Sequence, residues 1–160
     1  MLPRAFACSA LLALAAHAGA FTFSDGTTMQ CIVGGKAIEE QVATPSHPVV
    51  KQGRIALTEP AGGTDRIVWN DAQLKALPPE MHDFIFFHEC AHASVPTKSE
   101  VTANCVGLQA MRTAGRAGFK VESRLAAFYG PDSGYWRQTL ACANAFKAAG
   151  DSPPAGAAAR

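Results

Sequence analysis

The residues most able to do chemistry stand in one short run, His88-Glu89-Cys90-Ala91-His92. Positions i and i+4 of a helix lie one above the other on the same face, so two imidazoles at this spacing can reach one metal ion. The residue after the first histidine sits beside them, where a carboxylate can hold a metal-bound water and take its proton. The chemistry implied is hydrolysis by a zinc-activated water, with His88 and His92 as ligands of one Zn²⁺ and Glu89 as general base. That holds only if the run is helical. Pro79 suits the first turn of a helix, Glu80 and Asp83 favour its positive end, and Val95-Pro96 ends it. Phe84, Phe87 and Ala91 make the segment apolar over much of its surface, so the helix is expected to be buried.

Zinc in a hydrolytic site needs a third protein ligand and an open position for water. No histidine follows His92, and the nearest downstream carboxylate is Glu100, near the start of a second predicted helix running from Thr97 to about Ala114. A tight turn at Ser94–Thr97 would bring that helix against the end of the first. With His88-Glu89-x-x-His92 followed by Glu100-x-x-x-Asn104, the chain resembles the gluzincins, metallopeptidases with two histidines and a glutamate on zinc. Across residues 65–112 it is similar to small bacterial exported metallopeptidases, in Ile67-Val68-Trp69-Asn70, the histidine helix with Cys90, and Glu100-x-x-x-Asn104-Cys105. The resemblance implies a zincin-like active-site helix, Glu100 as third ligand, and a peptide or protein substrate. It also implies that Asn104 hydrogen-bonds the second nitrogen of a ligand histidine, His88. Glu100 has a competing role, because Thr97-Lys98-Ser99-Glu100 fits a capping box with Thr97 as N-cap and Glu100 at the third helical position. An oxyanion donor would complete the site, and Tyr129, Tyr135 and His82 are equal candidates.

Residues 1–20 read as a secretory signal peptide cleaved after Ala20, with Arg4 ahead of an Ala-rich run and Ala18-Gly19-Ala20 as the cleavage site. The run is about twelve residues, too short to span a bilayer, and no later stretch is longer. The expected location is periplasmic or secreted. Cys31, Cys90, Cys105 and Cys142 then remain, an even number that points to two disulfides in an oxidising compartment. Four cysteines allow three pairings. Cys90 is two residues from each histidine and turns away from the metal face, and Cys105 also leaves that face. The expected pairing is Cys90–Cys105, stapling the two ligand-bearing helices, with Cys31–Cys142 as the second bridge.

The elements around this site follow from composition and pattern. The chain has 160 residues, 48% hydrophobic and 17% charged, which suits a single packed domain over residues 21–149. Fourteen basic residues against 13 acidic ones, with no basic run, exclude the electrostatic footprint of a nucleic-acid binder. Residues 21–50 read as an irregular arm with one short strand near Gln30–Val33. Gly53–Thr58 and Asp65–Trp69 read as a hairpin turning at Pro60-Ala61-Gly62-Gly63. Arg66–Trp69 is the strand expected to offer an edge to substrate backbone. A short helix capped by Asn70 or Asp71 precedes Pro78-Pro79, and Val121–Tyr129 and a segment from Ser133 or Gly134 to Ala148 read as the last two helices. Residues 150–160, rich in Pro, Ala and Gly, read as a disordered tail. The fold class expected is α+β, a small hairpin or sheet packed on three to four helices. The leading expectation for function is a zinc metallopeptidase. The alternative is a non-catalytic zinc-binding or disulfide-stapled interaction module.

Overall fold

A computed structural model describes residues 19–130 and 132–149, the side chains of 146–149 excepted. The expected signal peptide, all but its last two residues, and the tail at 150–160 lie outside the described residues. Two small ladders open the described chain: β1 (Phe21–Thr22) pairs antiparallel with β2 (Thr28–Met29), and β3 (Ile32–Val33) with β4 (Lys36–Ala37). Then follow β5 (Glu39–Val42), α1 (Pro48–Lys51), β6 (Ala56–Ala61), β7 (Thr64–Trp69), α2 (Asp71–Lys75), α3 (Pro79–Ser94), α4 (Glu100–Thr113), α5 (Phe119–Tyr129) and α6 (Gly134–Ala149). The class is α+β, as expected.

Gly62 and Gly63 set the turn of the hairpin. Both have positive φ, 58° and 89°, the conformation a two-residue type I′ loop requires and non-glycine residues resist. The register runs from Ala61↔Thr64 to Ala56↔Trp69. The first strand therefore lies later than Gly53–Thr58, because α1 and its C-terminal turn occupy the residues before it.

The sheet holds one strand that the pattern did not disclose. β5 pairs in parallel with β7, so the order is β5-β7-β6 and β7 is the central strand. Glu39-Glu40-Gln41-Val42 carries no apolar alternation, which is why it reads as loop. This overturns Arg66–Trp69 as an edge: β7 is hydrogen-bonded on both sides, and Ile67, Val68 and Trp69 are buried. The free edge beside the histidine helix belongs to β6.

α3 is the axis of the molecule and is apolar nearly all round. Phe86 and Phe87 pack on Phe21 and Phe23 of the N-terminal arm, while Phe84 meets Tyr129 and Trp136 edge-on. Asp83 fastens the arm to this helix by accepting hydrogen bonds from Ser24 N and Oγ at 2.8 and 2.9 Å. A helix enclosed on every side cannot show one polar face, and this one does not.

α4 lies tight against α3 because of Gly107. A Cβ there would sit 2.9 Å from the backbone C and O of Phe87 and N of His88, closer than real contacts permit. With Ala103, Gly107 makes the close row that brings Glu100 and Asn104 up to the histidines.

Two disulfides form among the described residues, and their pairing corrects the expectation. Cys31 bridges Cys90, and Cys105 bridges Cys142. The face of α3 that meets α4 carries the histidines, so Cys90, turned away from them, meets the arm instead. Cys105 likewise turns from α3 towards α6. The bridges tie each of α3 and α4 to an outer element rather than to the other.

Candidate metal centre

His88, Glu89 and His92 all come from the middle and end of α3, with His88 and Glu89 buried and His92 half-buried. Glu100 is the first residue of α4. Ser99 is the N-cap, its Oγ accepting from Thr102 N at 3.2 Å, and Thr97 Oγ1 accepts from Ser99 N at 3.0 Å. The competing role for Glu100, a capping box with Thr97 as N-cap, is therefore not formed. Helix entry two residues later puts Glu100 at the first helical position, where its carboxylate has no backbone N–H to satisfy and is free to reach α3.

It reaches both histidines. His88 Nε2 lies 3.1 Å from Glu100 Oε2, His92 Nε2 lies 3.7 Å from the same oxygen, and the two Nε2 atoms are 3.2 Å apart. Ligand atoms about 2.0–2.1 Å from a four-coordinate ion stand about 3.3 Å from each other in tetrahedral geometry. The three observed separations bracket that edge, so the trio fits one small cation without rearrangement, and these residues form a group able to hold a metal ion.

The other ring nitrogens set the tautomers. His92 Nδ1 is 2.9 Å from the Thr97 carbonyl, which can only accept, so Nδ1 carries the hydrogen. His88 Nδ1 is 2.6 Å from Asn104 Oδ1, and Asn104 is fully buried. With both Nδ1 atoms donating, both Nε2 lone pairs converge on Glu100 Oε2. Three lone pairs aimed at one point call for a positive charge between them.

The electrostatics agree. Burial on its own would lower the His88 pKa, but the Glu100 carboxylate, the Glu89 charge and Asn104 outweigh it and raise it. The hydrogen bond with His88 is the largest influence on Glu100 and holds its pKa below the ordinary value. A proton and a metal ion compete for the same position.

The trio opens on a cavity of about 950 Å³. Glu89 lines it beside His88 and His92, and the opposite wall is β6, with Ala56, Leu57, Thr58 and Pro60. Glu89 is buried, and its Oε2 accepts a 2.7 Å hydrogen bond from Thr58 Oγ1. No residue of 21–50 lines this cavity, so the arm braces the back of α3 and leaves the site open.

The three oxyanion candidates lie in different places. His82 lines a separate cavity of about 490 Å³ beside β5 and α2 and has its Nδ1 3.0 Å from Asp83 Oδ1. Tyr129 and Tyr135 lie beside Asn104, close enough to Glu100 to feel its charge, and neither is among the residues that line the cavity of the histidines. Burial is the main influence raising both phenol pKa values, so both hydroxyls stay protonated at neutral pH. Sequence reasoning thus named the three residues that come together as a group able to hold a metal ion, and the contact of Asn104 with His88. It missed Thr58, the Thr97 carbonyl and Gly107. Thr58 is one threonine in a strand and has no spacing signal, whereas Gly107, seven residues after Glu100 on the same helix face, could have been read as a close-contact position. In comparisons with known proteins, no family model, no curated protein sequence and no solved structure matches the chain.

Proposed function

We propose that the chain is a zinc-dependent metallopeptidase. The observation that carries this reading is the convergence of His88 Nε2, His92 Nε2 and Glu100 Oε2 within 3.7 Å of one another, with the Glu89 carboxylate in the same cavity. Two imidazoles and one carboxylate are the donor set of catalytic zinc sites that keep one position for water. When bound, zinc lowers the pKa of its water towards ~7 and polarises a carbonyl oxygen.

The protein's own groups do the rest. Asn104 and the Thr97 carbonyl fix the two rings, so the ligands are preorganised. Glu89 takes a proton from the attacking water as its oxygen bonds to the scissile carbonyl carbon. It then delivers that proton to the amide nitrogen as the C–N bond breaks, and the second water proton follows from the new carboxylic acid to the amine, leaving a carboxylate and an ammonium group. A pure metal store would have no use for a buried carboxylate at this place. β6 lines the cavity with its outer edge unpaired within the sheet, so an extended peptide can lie along it as an added strand. Two disulfides support an oxidising compartment, periplasmic or extracellular. No helix among the described residues is long and apolar enough to cross a membrane.

The test is Glu89→Gln. The variant should keep one zinc per chain and lose about 10²–10⁴-fold in cleavage of a mixed peptide substrate. Unchanged cleavage would refute the mechanism. Zinc bound by the wild-type protein with no turnover of any peptide would select the non-catalytic zinc module instead.

A further inference from the structure

The geometry points to Thr58 as the residue that decides which oxygen of Glu89 acts as the base. The inference rests on the peptidase reading and deepens it. Thr58 stands on β6, across the cavity from α3. Its Oγ1 is 2.7 Å from Glu89 Oε2 and 3.0 Å from the Glu89 backbone carbonyl oxygen. The hydroxyl has one proton to give. Both neighbours can accept it, and an ionised carboxylate is the stronger acceptor. Among the described residues no group hydrogen-bonds Glu89 Oε1, although the Glu89 side chain lines the cavity.

The two carboxylate oxygens are therefore unequal before any substrate arrives. Oε2 is engaged with the wall, and Oε1 is left to take a proton from the cavity side. Thr58 thereby pins the carboxylate plane, which a glutamate side chain with three rotatable bonds would not hold unaided. The second acceptor matters after proton transfer. Once Oε1 carries the proton, Oε2 is a weaker acceptor, and the Thr58 hydroxyl can turn to the backbone carbonyl without moving its own backbone. The hydroxyl is satisfied in both states of the base. Thr58 is a positioning residue, since it acts through Glu89.

The test compares Thr58→Val, which keeps the shape and removes the hydroxyl, with Thr58→Ser, which keeps the hydroxyl. Both are assayed zinc-loaded, with zinc content and melting temperature measured alongside. Thr58→Val should lower kcat about 10- to 100-fold with KM within about threefold, and Thr58→Ser should stay within about threefold of wild type. A crystal structure of zinc-loaded Thr58→Val should show the Glu89 carboxylate rotated from its wild-type position. Thr58→Val with wild-type kcat, Thr58→Ser as impaired as Thr58→Val, or an unmoved carboxylate would overturn the assignment. If the wild-type protein cleaves no peptide, the peptidase reading fails by itself. The carboxylate position in Thr58→Val then still decides the role of Thr58.

Discussion

Glu40 is a buried acid on β5, outside the cavity of the histidines, and its removal should change the pH dependence of stability in a calculable way. Trp69 Nε1 donates to Glu40 Oε2 at 3.0 Å, while Oε1 is buried with no partner. Burial raises its pKa from 4.5 to about 7, against the lowering effects of Trp69 and the Cys31 backbone. A raised acid means the folded chain holds more protons than the unfolded one between these values. Stability contributed at low pH is thus lost as pH climbs from about 4.5 to about 7. At ~1.4 kcal/mol per pH unit the full loss is about 3 kcal/mol, of which about 2.5 kcal/mol falls between pH 5 and pH 8. Glu40→Gln keeps an acceptor for Trp69 and removes the ionisation. Urea unfolding of oxidised, chelator-treated wild type and Glu40→Gln at pH 5 and pH 8 measures it. The stability difference should shift by about 2.5 kcal/mol in favour of the variant at the higher pH, or about 1–2 M in urea midpoint. A difference that is the same at both pH values would refute the reasoning, because the orphaned Oε1 would then not be feeling its burial.

Other consequences are as direct. Asn104→Ala removes the partner of His88 Nδ1 and should weaken zinc binding about 10- to 100-fold in competition with a chromogenic chelator, with circular dichroism unchanged. Gly107→Ala drives a Cβ into the α3 backbone and should cost about 1–3 kcal/mol in unfolding free energy while also lowering zinc affinity; equal stability and affinity would show that the helices need not approach so closely. Replacing Cys31 and Cys90 by Ala opens a 59-residue separation and should cost about 4 kcal/mol by loop entropy, measured by chemical denaturation with the Cys105–Cys142 bridge intact.

Much of the site was legible because it is local. His88, Glu89 and His92 share one helix, and the spacing alone states their common face. Glu100 and Asn104 were legible as a second helix turn, although the helix start was misplaced: Thr97 and Ser99 both suit an N-cap, and sequence cannot say which is used. The parts that failed depend on packing between distant segments. β5 carries two glutamates and no alternation, so only its pairing with β7 shows it to be a strand. The disulfides followed from which faces of α3 and α4 meet. The same argument that turned Cys90 away from the metal should have turned it away from α4. Thr58 belongs to this second group, since its importance comes from facing Glu89 across a cavity that two separate elements enclose.

The central claim is that His88, His92 and Glu100 hold one zinc. The direct measurement is metal analysis with zinc X-ray absorption on protein purified without chelator, alongside Glu100→Ala. The account predicts one zinc per chain, nitrogen and oxygen neighbours at about 2.0–2.1 Å including two imidazoles, and loss of stoichiometric zinc in Glu100→Ala. Substoichiometric zinc in the wild type, a sulfur neighbour at about 2.3 Å, or full zinc retention in Glu100→Ala would contradict it.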